Sequence, residues 1–203
     1  MGSEHYFSAQ PSTPEKRKTI TVVLAGAERT VQTAGGIFSP DGVDKGTAVL
    51  LAGVPAPAPA GHLLDIGCGW GPIALSMALA SPGATVHAVD VNDRSIGLTR
   101  DNAARLGLDN VVAGTPDSVP ADVEFDTIWS NPPIRIGKEA LHELLLQWLP
   151  RLAPGGQAWL VVQKNLGSDS LQKWLGENLP AGFRVSREST SKAFRILRVV
   201  RPS

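Results

Sequence analysis

Two apolar patterns alternate along this chain. Short unbroken apolar runs end at an acid, a glycine or a proline, and between them lie longer stretches with apolar residues three and four apart. The first pattern reads as strands covered on both faces, the second as amphipathic helices. Strands are expected at 63–66, 85–89, 111–113, 125–129 and 157–163. Helices are expected at 73–80, from a cap at Asp93 to about Leu106, at 138–149 and at 168–179. In the third helix Leu141, Leu144, Leu145 and Leu149 share one face. In the fourth, Leu171, Trp174 and Leu175 point inward. Gly155-Gly156 closes the section before the fifth strand. Two last strands, 184–188 and 194–200, have no crossover between them and should pair antiparallel.

Upstream the pattern changes. Residues 19–24 and 28–33 are rich in β-branched side chains, flank Ala25-Gly26-Ala27 and read as a β-hairpin. A loop over 34–39 follows, and Asp44-Lys45-Gly46-Thr47 enters a short helix at 48–51. Three alternating prolines between Val54 and Ala60 make a stiff connector. Residues 1–18 are polar, with Pro11, Pro14, Lys16-Arg17-Lys18 and an aromatic pair, Tyr6-Phe7. That arm reads as a loose terminus whose aromatics cover an apolar patch, or as a flap over a site. The chain thus divides into an arm (1–18), a hairpin, helix and connector (19–60), and a ligand-binding catalytic domain (61–203).

Five βα units followed by a hairpin predict the α/β class: a doubly wound, Rossmann-like sheet of about seven strands, mostly parallel, plus the N-terminal β-hairpin. Such sheets bind ligands outside the carboxyl ends of their strands. The rule brings Asp65 to Gly71, Asp90, Asp117 and Asn131 to one rim, although they lie far apart in sequence.

Composition narrows the function classes. The 203 residues are 42% hydrophobic, enough for a core, and 19 basic residues balance 19 acidic ones. Nucleic-acid contact would need a local basic patch rather than a global field. The single cysteine, Cys68, excludes an internal disulfide and a cysteine metal cluster, and the four histidines lack ligand spacing. No metal site is expected. No apolar run approaches the ~18 residues of a membrane span, and the N-terminus lacks a signal-peptide core. The expectation is a cytoplasmic protein with no membrane contact, a monomer or weak homodimer.

The densest chemistry lies in His62-Leu63-Leu64-Asp65-Ile66-Gly67-Cys68-Gly69-Trp70-Gly71-Pro72. A buried strand meets an acid, then glycines at alternate positions, then a helix start. Glycine lets the backbone turn sharply and approach a ligand closely. The dinucleotide fingerprint needs a third glycine three residues after the second; here the glycines are 67, 69 and 71, and residue 72 is proline. The carboxylate of Asp65 suits a cationic or amine-bearing ligand better than a phosphate. This stretch resembles the first motif of class I S-adenosylmethionine-dependent methyltransferases, in which the glycine turn passes under the amino-acid end of the cofactor. Asp90 ends the next strand about 20 residues on, where an acid accepts from ribose hydroxyls, and Asn92 is placed to help. The resemblance implies a further group near the adenine amine at Asp117. Cys68, between two glycines, reads as a small buried apolar residue.

Ser130-Asn131-Pro132-Pro133-Ile134 follows an apolar strand. Two prolines fix the turn and give up two donors, so the Asn131 amide oxygen and the Pro132 carbonyl are candidate acceptors for an exocyclic NH2. The lone pair of an aromatic amine is delocalised and weakly nucleophilic. Two acceptors aim it at the sulfonium methyl and stabilise the charge that develops on nitrogen. Neither a metal nor a covalent nucleophile is required.

Asn-Pro-Pro followed by an aromatic is the signature of amino-methylating class I enzymes. With Gly36-Ile37-Phe38-Ser39 and Val43-Asp44-Lys45-Gly46-Thr47 upstream, the frame resembles the ribosomal RNA small-subunit methyltransferase C group, of the small methyltransferase domain type. Ser3-Glu4-His5-Tyr6-Phe7 is similar to the opening of the short bacterial members. The resemblance implies methylation of a guanine N2 in 16S ribosomal RNA, free or in the small ribosomal subunit, with Phe38 and Thr47 lining the cofactor or base pocket. Ile134 departs from the pattern, since an aromatic there stacks on the target base, a contact worth about 1–3 kcal/mol; either Phe38, Tyr6 or Phe7 supplies the platform, or the target differs. Arg135 and Lys138 are the expected RNA contacts, ahead of Lys164, Lys192 and Arg195. The alternatives are methylation of adenine N6 or of a protein glutamine amide, and a non-enzymatic RNA-binding assembly factor. A nicotinamide oxidoreductase is disfavoured by the glycine spacing.

Overall fold

Hydrophobic side chains alternate between the two faces of the central sheet, and both faces are covered. In a computed structural model, which describes residues 15–190 and 193–203, neighbours in sequence fall into different cores. Leu64, Ile128, Leu160, Val162 and Leu197 face one way; Leu63, Trp129, Val161 and Ile196 face the other. This is the period-two pleat with helices packed on both sides.

The elements run β1 (Arg17–Leu24), β2 (Ala27–Ala34), α1 (Lys45–Gly53), β3 (Ala60–Ile66), α2 (Pro72–Ala80), β4 (Gly83–Val89), α3 (Asp93–Arg105), β5 (Val111–Gly114), β6 (Phe125–Ser130), α4 (Lys138–Trp148), β7 (Leu152–Gln163), α5 (Ser168–Asn178), β8 (Arg184–Thr190) and β9 (Phe194–Val200). Seven strands form one sheet in the order β5-β4-β3-β6-β7-β9-β8. The first five in that order are mutually parallel, and β9 pairs antiparallel with both β7 and β8. The α4 and α5 residues Leu141, Leu145, Trp148, Leu171 and Leu175 cover one face. Leu50, Ile73, Met77 and Ile96 from α1, α2 and α3 cover the other.

The β1–β2 hairpin is a separate two-stranded sheet closed by Ala25 and Gly26, both at positive φ (48° and 78°), as a type I′ turn requires. Leu24 and Val31 bury against Trp70, Leu75 and Leu98, so the hairpin shares a core with α2 and α3. Arg17 pairs with Asp101 on α3, and Lys18 with Asp41.

Three sequence expectations need correction. Asn92, not Asp93, caps α3: its amide oxygen accepts from the N–H groups of Arg94 (3.0 Å) and Ser95 (3.3 Å). After β5 the chain makes only a three-residue 3-10 turn, Pro116–Ser118, so there are four full βα units and not five. Gly155-Gly156 lies inside β7: pairing with β6 jumps from Leu152 to Gln157, and a Cβ on Gly156 would stand 2.7 Å from the Phe125 carbonyl oxygen. Trp174 packs on the same core as Leu171 and Leu175, as expected, and its half-buried ring stacks on His142 of α4, ring centroids 3.5 Å apart. No described helix is long and apolar enough to cross a membrane. Tyr6, Phe7, Pro11, Pro14 and Lys192 lie outside the described residues.

Candidate active site

Parallel register assembles the rim. Ile66 of β3 pairs with Val89 of β4 on one side and with Ser130 of β6 on the other. The next residues of those strands, Gly67, Asp90 and Asn131, therefore emerge side by side at the carboxyl edge. Ser130 ties the edge together, its hydroxyl donating to the Ile66 carbonyl at 2.8 Å.

The glycine turn folds back on β4: the N–H groups of Gly67 and Cys68 both donate to the Val89 carbonyl, at 2.9 and 3.0 Å. Gly67 has φ +79°, and a Cβ there would meet nothing within 4 Å. The space above it is open toward a shallow cleft. Phe38, Ser39, Asp44, Thr47, Gly67 and Asn131 are among its lining. Phe38 is 52% exposed there, on a loop held by a donation from the Trp70 indole N–H to the Ser39 carbonyl (3.2 Å). Ser39 itself has φ 49°, a strained conformation for a residue with a side chain.

The acids stand behind and beside the cleft. Asp65 is fully buried; one carboxyl oxygen accepts from the Ala74 N–H of α2 at 3.0 Å and the other has no partner. Burial pushes its pKa up to about 8, against the opposing pull of the Ala74 hydrogen bond and with a further push from the Asp90 charge. Asp90 clamps two backbones, accepting from the Gly69 N–H at 3.0 Å and the Asn92 N–H at 2.9 Å. Burial raises its pKa, and those amides hold the rise in check. Cys68 is 2% exposed, and burial, reinforced by the Asp90 and Asp65 charges, raises its pKa well above the ordinary thiol range. It is a packed thiol and not a nucleophile.

Two side chains from α1 and its cap hold Asn131. Its Nδ2 donates to Asp44 Oδ2 at 2.8 Å and to Thr47 Oγ1 at 3.2 Å, which leaves Oδ1 as the unspent acceptor of the amide. The Pro132 carbonyl already accepts from the Ile134 N–H at 2.8 Å, across Pro133 at φ −75°, ψ 73°, an inverse γ-turn. One lone pair of that carbonyl remains for a second donor.

The residues singled out in the sequence therefore divide. The cleft brings together Phe38, Thr47, Gly67, Cys68, Gly69 and Asn131. Asn92 is fully buried: its oxygen caps α3, its amide donates to the Gly36 carbonyl at 3.2 Å, and it is not among the residues lining the cleft. Thr47 is 3% exposed, and its hydroxyl serves Asn131. Asp117 stands in the exposed turn after β5, away from the cleft lining. Ile134 is half-buried and packs on the α4–α5 core, so it offers the cleft no stacking face. Arg135 and Lys138 are exposed where α4 begins, and Lys164 is exposed after β7. Arg195 is only 7% exposed and is not a surface cation. Sequence reasoning missed Asp44 as a site residue. Its signal was present, an acid directly before a helix with glycine two residues on.

The arrangement fits S-adenosylmethionine. The partnerless oxygen of Asp65 and its raised pKa are what a nearby ammonium group would relieve. The open space above Gly67 admits a chain-like ligand against bare backbone. Asp90 stands on the same rim at the end of β4, its carboxylate fixed by the Gly69 and Asn92 amides.

Comparison with known proteins supports the same assignment. The family model "Methyltransferase small domain" matches residues 28–197. The chain is 36% identical over 178 residues to uncharacterized protein YbxB of Bacillus subtilis (strain 168), covering 86% of this chain and 89% of that one. It is 33% identical over 162 residues to ribosomal RNA small subunit methyltransferase C of Pseudomonas aeruginosa (strain LESB58), covering 78% of this chain and 48% of the relative. It thus spans about half the length of those methyltransferases. Among solved structures, the T. thermophilus 16S rRNA N2 G1207 methyltransferase, solved with AdoMet and guanosine, superposes with a TM-score of 0.77 at 24% identity, over 94% of this chain and 52% of that one. The chain belongs to the methyltransferase small domain family, and S-adenosylmethionine is the group its rim fits.

Proposed function

We propose that this S-adenosylmethionine-dependent methyltransferase transfers its methyl group to the exocyclic N2 amine of a guanine in 16S ribosomal RNA, in the cytoplasm. The observation that carries the reading is the Asn131 amide, with its nitrogen turned away to Asp44 and Thr47 and its oxygen left to accept. An acceptor fixed at the cleft beside the glycine turn is what an aromatic amine needs. The names of the Pseudomonas relative and of the Thermus neighbour with its bound guanosine support the base and the RNA.

The cofactor supplies an electrophilic methyl group. The chain's part is to hold and orient. Asp90 receives ribose hydroxyls, Asp65 sits behind the turn as the counter-charge for the cofactor's amino group, and Gly67, Gly69 and Gly71 let the backbone lie flat beneath it. Asn131 Oδ1 and the remaining lone pair of the Pro132 carbonyl accept hydrogen bonds from the two amine hydrogens and direct the nitrogen lone pair; once the nitrogen has gained the methyl and a positive charge, one of those protons leaves to water. Phe38, exposed at the cleft, supplies the stacking face that Ile134 does not. Arg135 and Lys138 contact phosphates.

The test is methyl incorporation from labelled cofactor into separated RNA, DNA and protein fractions, with free 16S RNA and small subunits compared. Label in 16S RNA recovered as N2-methylguanosine supports the reading. Label in adenine N6 or in a glutamine amide gives the site to another planar amine, and RNA binding without cofactor binding would make the chain an assembly factor.

A further inference from the structure

We infer that Asp44 is a positioning residue of the methyl-transfer site, holding the Asn131 amide so that its oxygen, not its nitrogen, faces the substrate amine. The inference rests on the reading above, in which Asn131 receives that amine.

An asparagine side chain has two nearly equivalent orientations about its last torsion. In one it presents an acceptor to the cleft. In the other it presents NH2, which meets the substrate NH2 donor to donor. Something must choose. Asp44 Oδ2 does so by being able only to accept: it takes the Gly46 N–H at 2.8 Å, the Thr47 N–H at 3.3 Å and Asn131 Nδ2 at 2.8 Å. The group facing it must be the NH2, and Thr47 Oγ1 at 3.2 Å takes the other proton of that nitrogen.

The oxygen is itself fixed. Asp44 is the N-cap of α1, and α1 is anchored by fully buried Leu50 and by Thr47. The approach is close enough to demand glycine next door. A Cβ on Gly46 would stand 3.0 Å from Asp44 Oδ2, 3.1 Å from the Phe194 ring and 3.2 Å from Asn131 Nδ2. One carboxylate therefore links the start of α1 to the end of β6 across 87 residues of sequence.

Three variants and one spectroscopic probe test this. Asp44→Ser keeps a good helix cap, but its hydroxyl is too short to reach Asn131. We expect its kcat to fall about 30–100-fold while cofactor Kd, by calorimetry, and the melting temperature stay near wild type. Asn131→Asp sets two carboxylates together, so its activity rises on acidification as one proton is shared between them. Asp44→Asn, whose amide oxygen can stay on the Gly46 and Thr47 N–H groups and still present only an acceptor to the Asn131 NH2, should keep turnover within about tenfold of wild type. In 15N spectra the Asn131 side-chain NH2 of the wild type should exchange slowly with water, and Asp44→Ser should abolish that protection. Normal turnover in Asp44→Ser, turnover lost as deeply in Asp44→Asn as in Asp44→Ser, or an unprotected wild-type amide overturns the inference. If the wild type methylates no RNA while the amide is protected and Asp44→Ser releases it, the positioning stands and the functional reading falls.

Discussion

Asp65→Asn should stabilise the cofactor-free protein at neutral and alkaline pH and leave it nearly unchanged in acid. The carboxyl is fully buried with one oxygen unpartnered, and its pKa is pushed from 3.8 up to about 8. Between those values the folded chain holds a proton that the unfolded chain has released. Stability therefore falls as pH rises from about 4 and levels off above about 8. At about 1.4 kcal/mol for each tenfold change in proton affinity, the ceiling is about 5–6 kcal/mol. Local rearrangement and water entry reduce it, and about 2–4 kcal/mol is expected above pH ~8. Asparagine has the same shape and no charge, so its profile should be flat where the wild type slopes. Urea unfolding of both proteins at a series of pH values measures the difference. Saturating S-adenosylmethionine should then stabilise the wild type more than the variant, because an ammonium group near residue 65 favours the ionised form. Parallel stability profiles, or equal stabilisation by cofactor, would refute the reasoning.

Asn131→Ala should lower turnover at least ~100-fold, with cofactor Kd by calorimetry within a few-fold of wild type, since its amide serves the substrate side of the cleft. Phe38→Ala should raise the RNA KM by about 5–100-fold in steady-state assays, the loss expected of one base stack, and Phe38→Tyr should retain it. His87 is buried 3.2 Å from His62, and burial, with the charges of His62 and Arg151, pushes its pKa down to about 4. A depressed base contributes stability above the unfolded value of about 6.5 that is lost as pH falls toward 4, so urea unfolding should show about 1–3 kcal/mol lost over that range and much less in His87→Phe.

Much of the fold was legible because the strands are apolar on both faces. Runs such as Leu63-Leu64 and Leu160-Val161-Val162 feed two cores at once and admit no other reading. The failures lie where side-chain hydrogen bonding decides. Asn92 and Asp93 are both good capping residues, and only the tertiary contact from the Asn92 amide to the Gly36 carbonyl shows which one turns inward. Gly155-Gly156 signalled a break, yet the chain bulges within β7 and continues. In the site, spacing located Gly67, Asp90 and Asn131, because parallel register needs only strand ends. It did not reveal that Thr47 faces Asn131, that Ile134 packs into the core, or that Asp44 orients the amide. Those are contacts across 84 to 87 residues for Thr47 and Asp44, and a local γ-turn for Ile134.

A crystal structure with S-adenosylhomocysteine and guanosine tests the central claim most directly. The account predicts the cofactor product lying along Gly67 with its ribose at Asp90, and the guanosine N2 within hydrogen-bond distance of Asn131 Oδ1 while Nδ2 stays on Asp44. Either ligand bound away from this rim, or the Asn131 nitrogen facing the base, would contradict it.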